Sequence, residues 1–477
     1  MKESVVTEPT AEHASALRRR LLHGGPWVVA TRVAGIGLMF FGNFLLARLL
    51  SPQDFGLFIL IISVLSFGSI VARFGLDRVI VRFVAESLAQ GDEFRAAETL
   101  KSALHLGLIS TLVASAAWVL CVGVWGEAFF GSHYNSTFVF VTTCGLAVAT
   151  CMQIVAESFR GFHELRLSSI FYAQQSGPLQ NLVFVALLLL VWKTPLSLGG
   201  ALGFYMLSLA AILPIAMYCL WRTVARRLAN IQGARTTAFG RDAVPGRQLF
   251  AVCLPIMMAQ VLTFSSTQAD IWIAGVFCSQ NQLALFAAAW RMMLVVSLPL
   301  DMINLTVIST IPELHTQGRL GELQRVLQAT AGLAAIPSLL VFMALLILPG
   351  TVLDVAFGPF YRNAATALVI LGAGQLVFAM TGSCGNALTM TGHHNWNLTV
   401  NLVATLVIMA IGPLAAARFG IHGLALVSAT TLAAKNVVLL LLTRKLVGIW
   451  THARPWQAST WLWRKAAGWS SRQLGAA

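Results

Sequence analysis

The chain has 477 residues, of which 57% are hydrophobic and only 10% are charged, with a mean hydropathy of +0.77. Soluble domains carry about 25% charged residues, so this composition excludes an ordinary soluble enzyme. The net charge of +14 would suggest nucleic-acid binding in a soluble protein, but in a membrane protein it indicates Lys and Arg retained on the cytoplasmic face. We therefore predict a membrane protein with no nucleic-acid partner.

Apolar stretches of about 20 residues, each long enough for one helical crossing, recur along the whole chain. We predict twelve spans, at residues 27–50, 55–72, 104–125, 137–155, 170–192, 201–221, 250–277, 283–308, 326–348, 364–389, 398–417 and 421–442. With the N-terminus inside, the inner segments hold 22 of the 32 Lys and Arg residues and the outer segments hold four. This bias predicts that both termini are cytoplasmic.

The first predicted span contains a permanent cation, Arg32, about 8 Å from its inner end at 1.5 Å per residue. A charge at mid-bilayer costs about 2.5–3.5 kcal/mol on insertion scales, so it usually faces a wet interior or a partner. Arg32 therefore either extends to the inner headgroups or serves as a cation in an internal cavity.

A charged run, RFGLDRVIVRFVAE, follows the second span at residues 73–86. The i,i+4 spacings of Arg73 with Asp77 and of Arg82 with Glu86 predict salt bridges along one helix surface. We expect this segment to be mainly a structural helix leaving the inner face.

Ionisable residues recur in the second half of the chain. Arg291, in the eighth span, lies at a depth that matches Asp270 in the seventh. The two residues form an ion pair, or Arg291 is a substrate-binding cation held ready by a titratable acid. Asp301 follows Pro299, which favours a kink that could act in gating. Lys435, in the last span, either extends to the inner headgroups or takes part in coupling.

Amide side chains also occur within the predicted spans. They can recognise sugar hydroxyls, and they can equally form hydrogen bonds between helices. The candidates for sugar contacts are Asn43, Gln268, Gln375 and Asn386.

The chain looks doubled. SPQDFGLF at 51–58 aligns with SQNQLALF at 279–286 with an offset of 228, and FRGFHELRL at 159–167 aligns with MTGHHNWNL at 390–398 with an offset of 231. Six spans per half give both halves the same orientation, with binding at their interface near mid-membrane. We expect a cytoplasmic segment at 1–26, an N-lobe at 27–221, a basic linker at 222–249, a C-lobe at 250–443 and a cytoplasmic Trp/basic tail at 444–477.

Motifs for catalysis or ATP use are missing from the sequence. It contains no GxxxxGK[ST], HExxH or GxSxG pattern, and its seven cysteines have no zinc-ligand spacing. No predicted loop exceeds about 30 residues, which disfavours a membrane glycosyltransferase. We expect a transporter with no catalytic residue, no metal and no ATP site.

Residues 44–86, FLLARLLSPQDFGLFILIISVLSFGSIVARFGLDRVIVRFVAE, resemble the signature of the polysaccharide-biosynthesis exporters. These are Wzx-type oligosaccharide flippases of the MOP superfamily, which also contains multidrug and toxin (MATE) extruders. The second half fits through Asp270 in ADIWIAG, Arg291 in ALFAAAWRM and Pro312 in TIPEL. The pattern in the first half is occupied by Arg48, Pro52, Asp54, Phe55, Gly56, Gly75, Leu76, Arg82 and Glu86.

This resemblance implies an all-α polytopic membrane protein with two like-oriented six-helix lobes around a central cavity. It further implies a bacterial inner-membrane flippase that exports a polyprenyl-diphosphate-linked oligosaccharide for surface or exopolysaccharide biosynthesis, with polymerase or assembly proteins as further partners. Arg32 and Arg291 would bind the diphosphate, and Asp270, Asp301 and Lys435 would serve coupling to H⁺ or Na⁺ or form ion pairs. Many relatives carry a basic residue directly after the acid of span seven, whereas here Ile271 follows Asp270.

Three alternatives stay open at this point. A multidrug antiporter for cations predicts an acidic, aromatic cavity, which the embedded arginines disfavour. A membrane glycosyltransferase and a scaffold for a polysaccharide assembly complex are the others. The segment 450–469, which mixes Trp with Arg and Lys, predicts an interfacial anchor on anionic lipid or a docking site.

Overall fold

A computed structural model of the chain describes residues 11–130, 135–172, 177–192, 194–231, 246–308 and 310–454. All regular secondary structure in these residues is helical. The helices of the first half are α1 Ala11–Leu49, α2 Pro52–Arg73, α3 Leu76–Ala89, α4 Glu93–Phe130, α5 Ser136–Gly161, α6 Leu165–Ile170, α7 Pro178–Leu190 and α8 Leu198–Ile231.

The second half repeats this plan with one merged pair of helices at its end. Its helices are α9 Gly246–Phe277, α10 Gln280–Val307, α11 Thr310–Thr316, α12 Leu320–Ile347, α13 Pro349–Phe357, a short 3-10 helix Pro359–Ala364, α14 Ala365–Thr381, α15 Cys384–Met390 and α16 His394–Leu446.

Ten helices in the described residues are long and apolar enough to cross a membrane. One of them, α16, has 53 residues and breaks at Gly420, whose φ of 58° and ψ of −145° are non-helical. Counting the two arms of α16 separately, and adding the shorter apolar helix Pro178–Leu190, gives twelve apolar helical segments in the described residues, the same number as the predicted spans. The prediction of an all-α polytopic membrane protein is confirmed.

The internal repeat is visible in the turns that precede α2 and α10. Ser51 caps α2 by accepting a hydrogen bond from the Asp54 amide, and Ser279 caps α10 by accepting one from the Gln282 amide. The side chain of Gln53 donates to that of Asn281 at 2.8 Å, across a separation of 228 residues. Equivalent residues of the two halves therefore meet at a pseudo-two-fold axis, as expected for two lobes of the same orientation. We call this side of the bundle the Ser51 end.

Helix α2 packs along the second lobe over most of its length. Near the Ser51 end, a Cβ on Gly56 would lie 2.8 Å from the Ala284 nitrogen, so this glycine permits close approach of the backbones. At mid-height, Ser63 donates to the side chain of Gln268 at 2.8 Å and accepts from the Trp272 indole at 2.9 Å. The lobes are thus joined by both packing and buried hydrogen bonds.

The opposite side of the bundle, which we call the Gly75 end, has a second junction. The Gln260 side chain donates to Asp77 at 3.0 Å and so links α9 to α3. The chain bends between α2 and α3 at two left-handed residues, Phe74 with φ 53° and Gly75 with φ 76°. The expectation of a mainly helical segment over 73–86 is confirmed by α3, with two local differences: Arg73 is the last residue of α2, and Phe74 and Gly75 form the bend between the two helices.

The predicted domain boundaries fall partly inside helices. Helix α8 continues to Ile231 and α9 begins at Gly246, so both ends of the predicted linker 222–249 are helical. The middle of that linker, the first ten residues and residues 455–477 lie outside the described part of the chain. The division into N-lobe, linker, C-lobe and tail stays a prediction.

Candidate functional site

A cavity of about 250 Å³, which we call cavity 1, lies between α1, α2, α5 and α8 of the first lobe and α9 of the second. Two guanidinium groups, those of Arg32 and Arg73, line it. Serine and glutamine side chains add neutral donors and acceptors, and aliphatic and aromatic residues complete the wall. The polar lining residues besides the arginines are Ser66, Ser69, Gln153, Tyr172, Tyr205 and Gln268.

Arg32 is half-buried, and its guanidinium carbon lies 4.9 Å from the centre of the Tyr172 ring. Cation–π contact of this kind stabilises a cation in an environment of low polarity. Asp301 on α10 of the other lobe interacts electrostatically with Arg32. The cation of the first span is thus directed into the protein.

A second, smaller cavity of about 30 Å³, cavity 2, contains Arg291. Arg291 is only 4% exposed, and its Nη1 lies 4.0 Å from the Met39 sulfur. Its guanidinium carbon also lies 5.2 Å from the Trp290 ring centre. Cavities 1 and 2 share two lining residues, Ile62 and Tyr205. Arg32 and Arg291 therefore line adjoining spaces at the junction of the lobes.

An aromatic cluster forms one wall of cavity 2. Phe58 stacks on Phe184 with ring centres 6.2 Å apart, and Tyr205 meets both rings edge-on at 6.1 and 5.5 Å. These three residues come from α2, α7 and α8. Their packing holds the Tyr205 ring in place between the two cavities.

The four predicted amide residues divide into two groups. Asn43 lines cavity 2 and donates to the Met39 carbonyl at 2.7 Å, and Gln268 lines cavity 1. Gln375 on α14 and Asn386 on α15 line neither cavity. Of the four, Asn43 and Gln268 are the residues that line these two cavities.

The acids of the second lobe have partners other than Arg291. Asp270 is 8% exposed and interacts electrostatically with Lys435, whose Nζ lies 3.4 Å from the Asn401 side-chain oxygen. Asp301 accepts a hydrogen bond from Ser297 at 3.3 Å, and α10 continues as a helix past Pro299 to Val307. The cation that interacts electrostatically with Asp270 is Lys435, which lies 165 positions further along the chain.

Sequence reasoning missed Arg73 as a cavity residue. It assigned this arginine to a structural run at the inner face, whereas the structure places it 2% exposed against cavity 1. The signal that could have found it is its position as the last residue of an otherwise apolar span, directly before a Gly-containing turn. Tyr205, which lines both cavities, carries no comparable sequence signal.

In the described residues, no group of three or more His, Cys, Asp or Glu side chains is arranged to hold a metal ion. The residues that line the cavities supply guanidinium groups, amides and hydroxyls. Such a set binds anions, and arginine in particular matches the oxygens of phosphate groups in a bidentate way.

These features define a multi-pass helical membrane transporter with cationic cavities at the junction of two lobes. Among solved structures, an inward-facing multidrug resistance MATE family transporter of the MOP superfamily has the same fold, with a TM-score of 0.65 and 14% identity over 88% of this chain and 98% of that one. Lipid II flippase MurJ in an inward closed conformation gives a TM-score of 0.64 with 12% identity over 89% of this chain and 87% of that one.

The family is shown by the sequence itself. The family model described as polysaccharide biosynthesis protein matches residues 21–315, and the chain belongs to this family. It is also 19% identical over 407 residues to the probable low-salt glycan biosynthesis flippase Agl15 of Haloferax volcanii, covering 85% of this chain and 80% of that protein. The predicted membership of the polysaccharide-biosynthesis family is confirmed, and the solved structures show that the chain has the fold of the MATE transporters and of MurJ.

Proposed function

We propose that this protein is a flippase that moves a polyprenyl-diphosphate-linked oligosaccharide from the cytoplasmic to the periplasmic leaflet by alternating access, for surface or exopolysaccharide biosynthesis. The observation that carries the proposal is the placement of Arg32 and Arg291 in adjoining cavities that share Ile62 and Tyr205. Family membership and similarity to a probable glycan flippase support the same assignment.

The diphosphate head is the part of such a substrate that the two arginines bind. Its oxygens pair with guanidinium groups in a planar, two-point geometry. The polyprenyl tail stays in lipid and passes through a gap between the lobes. A cavity of about 250 Å³ has no room for an oligosaccharide as well, so the lobes separate when the full head group enters.

The membrane potential contributes to the driving force. Moving about two negative charges outward against an inside-negative potential of about 100 mV is favourable by about 4–5 kcal/mol. Asp270 and Lys435 of the second lobe interact electrostatically and are our candidates for coupling to H⁺ or Na⁺. ATP takes no part in this scheme.

The location that we propose is the bacterial inner membrane, with both termini cytoplasmic. The Lys and Arg bias of the predicted loops supports this orientation. The Trp/basic tail would then lie on the anionic inner leaflet. A polysaccharide polymerase or other assembly protein would receive the product on the far side.

Transport in proteoliposomes tests this function. The purified protein is reconstituted with a fluorescent lipid-linked oligosaccharide, and the movement of this lipid to the other leaflet is followed without ATP. We expect the intact diphosphate-linked lipid to move, and its movement from the inner to the outer leaflet to be faster under an inside-negative potential. Export of a cationic dye with no movement of the lipid would instead support the multidrug-antiporter function and contradict our proposal.

A further inference from the structure

Arg73, the last residue of α2, is a second cation of cavity 1 with incompletely satisfied donors. Its side chain is 2% exposed. Its Nε lies 3.9 Å from the Asp77 carboxylate, and both Nε and Nη2 have no hydrogen-bond partner among the described residues. A guanidinium carries five N–H donors, and burying them unmet costs free energy.

The charged side chains near Arg73 do not supply the missing hydrogen-bond acceptors. Asp77 and Glu157 attract it, Arg78 repels it, and the nearest of the acids, Asp77, also accepts hydrogen bonds from Gln260 at 3.0 and 3.3 Å. The carboxylate of Asp77 is therefore shared between a cation of its own lobe and an amide of the other lobe. The exposed Arg78 lies outside the cavity.

Arg32 faces the same cavity from α1 and has its own acid, Asp301, across the lobe junction. Arg73 thus interacts with Asp77 and Glu157 of its own lobe, and Arg32 interacts with Asp301 of the other lobe. An anion with two phosphoryl groups can interact with both guanidinium groups, and it supplies the acceptor oxygens that Arg73 lacks.

We infer that Arg73 and Arg32 together form a diphosphate-binding site in cavity 1, on the Gly75 side of the position of Arg291. This inference rests on the proposed function for its substrate, but it assigns a new residue and divides the path into two successive positions. The ligand chemistry is a diphosphate, carried either by a prenyl lipid or by free inorganic diphosphate.

A purely structural role for Arg73, pairing with Asp77 to hold the α2–α3 turn, gives opposite expectations for one variant. Arg73→Gln and Asp77→Asn both break the salt bridge, and Asn at position 77 keeps the oxygen that Gln260 needs. If Arg73 binds the ligand, Asp77→Asn removes the carboxylate that competes with the ligand for Arg73, and ligand binding becomes tighter. Arg73→Gln then weakens ligand binding. If the pair is only structural, the two variants behave alike.

The experiment measures binding of inorganic diphosphate, farnesyl diphosphate and farnesol to the full chain in detergent by calorimetry. We expect Arg73→Gln to weaken both diphosphates by about tenfold or more, Arg73→Lys to weaken them less, and Asp77→Asn to tighten them severalfold. Binding of farnesyl diphosphate alone, still dependent on Arg73, supports the lipid as the source of the ligand. Unchanged binding in Arg73→Gln, or parallel losses in Arg73→Gln and Asp77→Asn, overturns the inference.

The same variants separate this inference from the proposed function. If Arg32→Ala and Arg291→Ala lose lipid flipping while Arg73→Gln keeps both diphosphate binding and flipping, only the assignment of Arg73 is contradicted. If the protein binds inorganic diphosphate through Arg73 but moves no lipid, the proposed flippase function is contradicted and the proposed diphosphate site is retained.

Discussion

At the residue scale, the two arginines proposed to bind substrate have different surroundings. Arg32 is half-buried beside an aromatic ring and interacts electrostatically with an acid of the opposite lobe. Arg291 is buried against Met39 and Trp290, about 16 Å along α10 from the Ser51 end at 1.5 Å per residue. An anion that enters from the Gly75 end therefore meets Arg32 before Arg291.

Two substitutions separate the contribution of the planar guanidinium geometry of Arg291 from that of its positive charge. Arg291→Lys keeps the cation but loses two-point recognition, and Arg291→Met removes the charge while keeping the volume roughly unchanged. We expect farnesyl diphosphate affinity to fall severalfold in the lysine variant and by about tenfold or more in the methionine variant. Calorimetry in detergent measures both.

The matched control is Arg418→Ala, which removes an exposed arginine from α16 outside both cavities. Its affinity should match that of the unaltered protein. Equal affinity in Arg291→Met and the control would show that Arg291 does not contact the diphosphate.

At the element scale, two glycines determine how helices meet. Gly56 lets α2 approach α10, because an added Cβ would collide with the backbone of Ala284. Gly420 makes the sharp turn within α16, in a backbone conformation that side-chain-bearing residues rarely adopt. Both positions require glycine because it has no Cβ, and this requirement does not depend on the substrate.

Replacing Gly56 by Ala should loosen closure of the Ser51 end. In a background without the seven native cysteines, a cysteine introduced by Asn281→Cys reports access of water-soluble maleimide to this end. We expect labelling to be faster in Gly56→Ala. Gly37→Ala on α1, where an added Cβ meets nothing within 4 Å, is the control. Equal labelling in both variants would mean that Gly56 does not hold this end closed.

Gly420→Ala should lower stability by about 1–3 kcal/mol, the cost of forcing a side chain into this region of φ and ψ. The thermal unfolding midpoint in detergent measures the effect. Gly123→Ala, at an open helical position of α4, should leave the midpoint unchanged or raise it. A Gly420→Ala midpoint equal to that of Gly123→Ala would argue against the turn.

At the scale of the whole molecule, the spans, the repeat and the two lobes could be predicted because they depend on local hydropathy and turn residues. The offset of 228 even pairs Gln53 with Asn281, which form a hydrogen bond. The partners of the charged residues could not be predicted, because tertiary packing decides that Lys435 interacts with Asp270 and Asp301 with Arg32. Arg73 was missed because the charged run at 73–86 was interpreted as structural, whereas the bend at Phe74 and Gly75 leaves Arg73 at the end of α2, against cavity 1.

The path of charge through the molecule gives a prediction for transport energetics. Because the proposed substrate carries its negative charge outward, an inside-negative potential set by potassium and valinomycin should speed flipping of the lipid, and an inside-positive one should slow it. The dequenching of a fluorescent lipid-linked oligosaccharide measures the rate. A rate independent of potential would indicate that compensating charge moves with the substrate.

The most direct test of the central claim is the rate of lipid-linked oligosaccharide flipping in proteoliposomes containing Arg32→Ala, Arg291→Ala or the control Arg418→Ala. Each cavity variant loses a charge-assisted contact to the diphosphate, so we expect its rate to fall by about tenfold or more. The control should transport as the unaltered protein does. Full transport by both cavity variants would contradict the account.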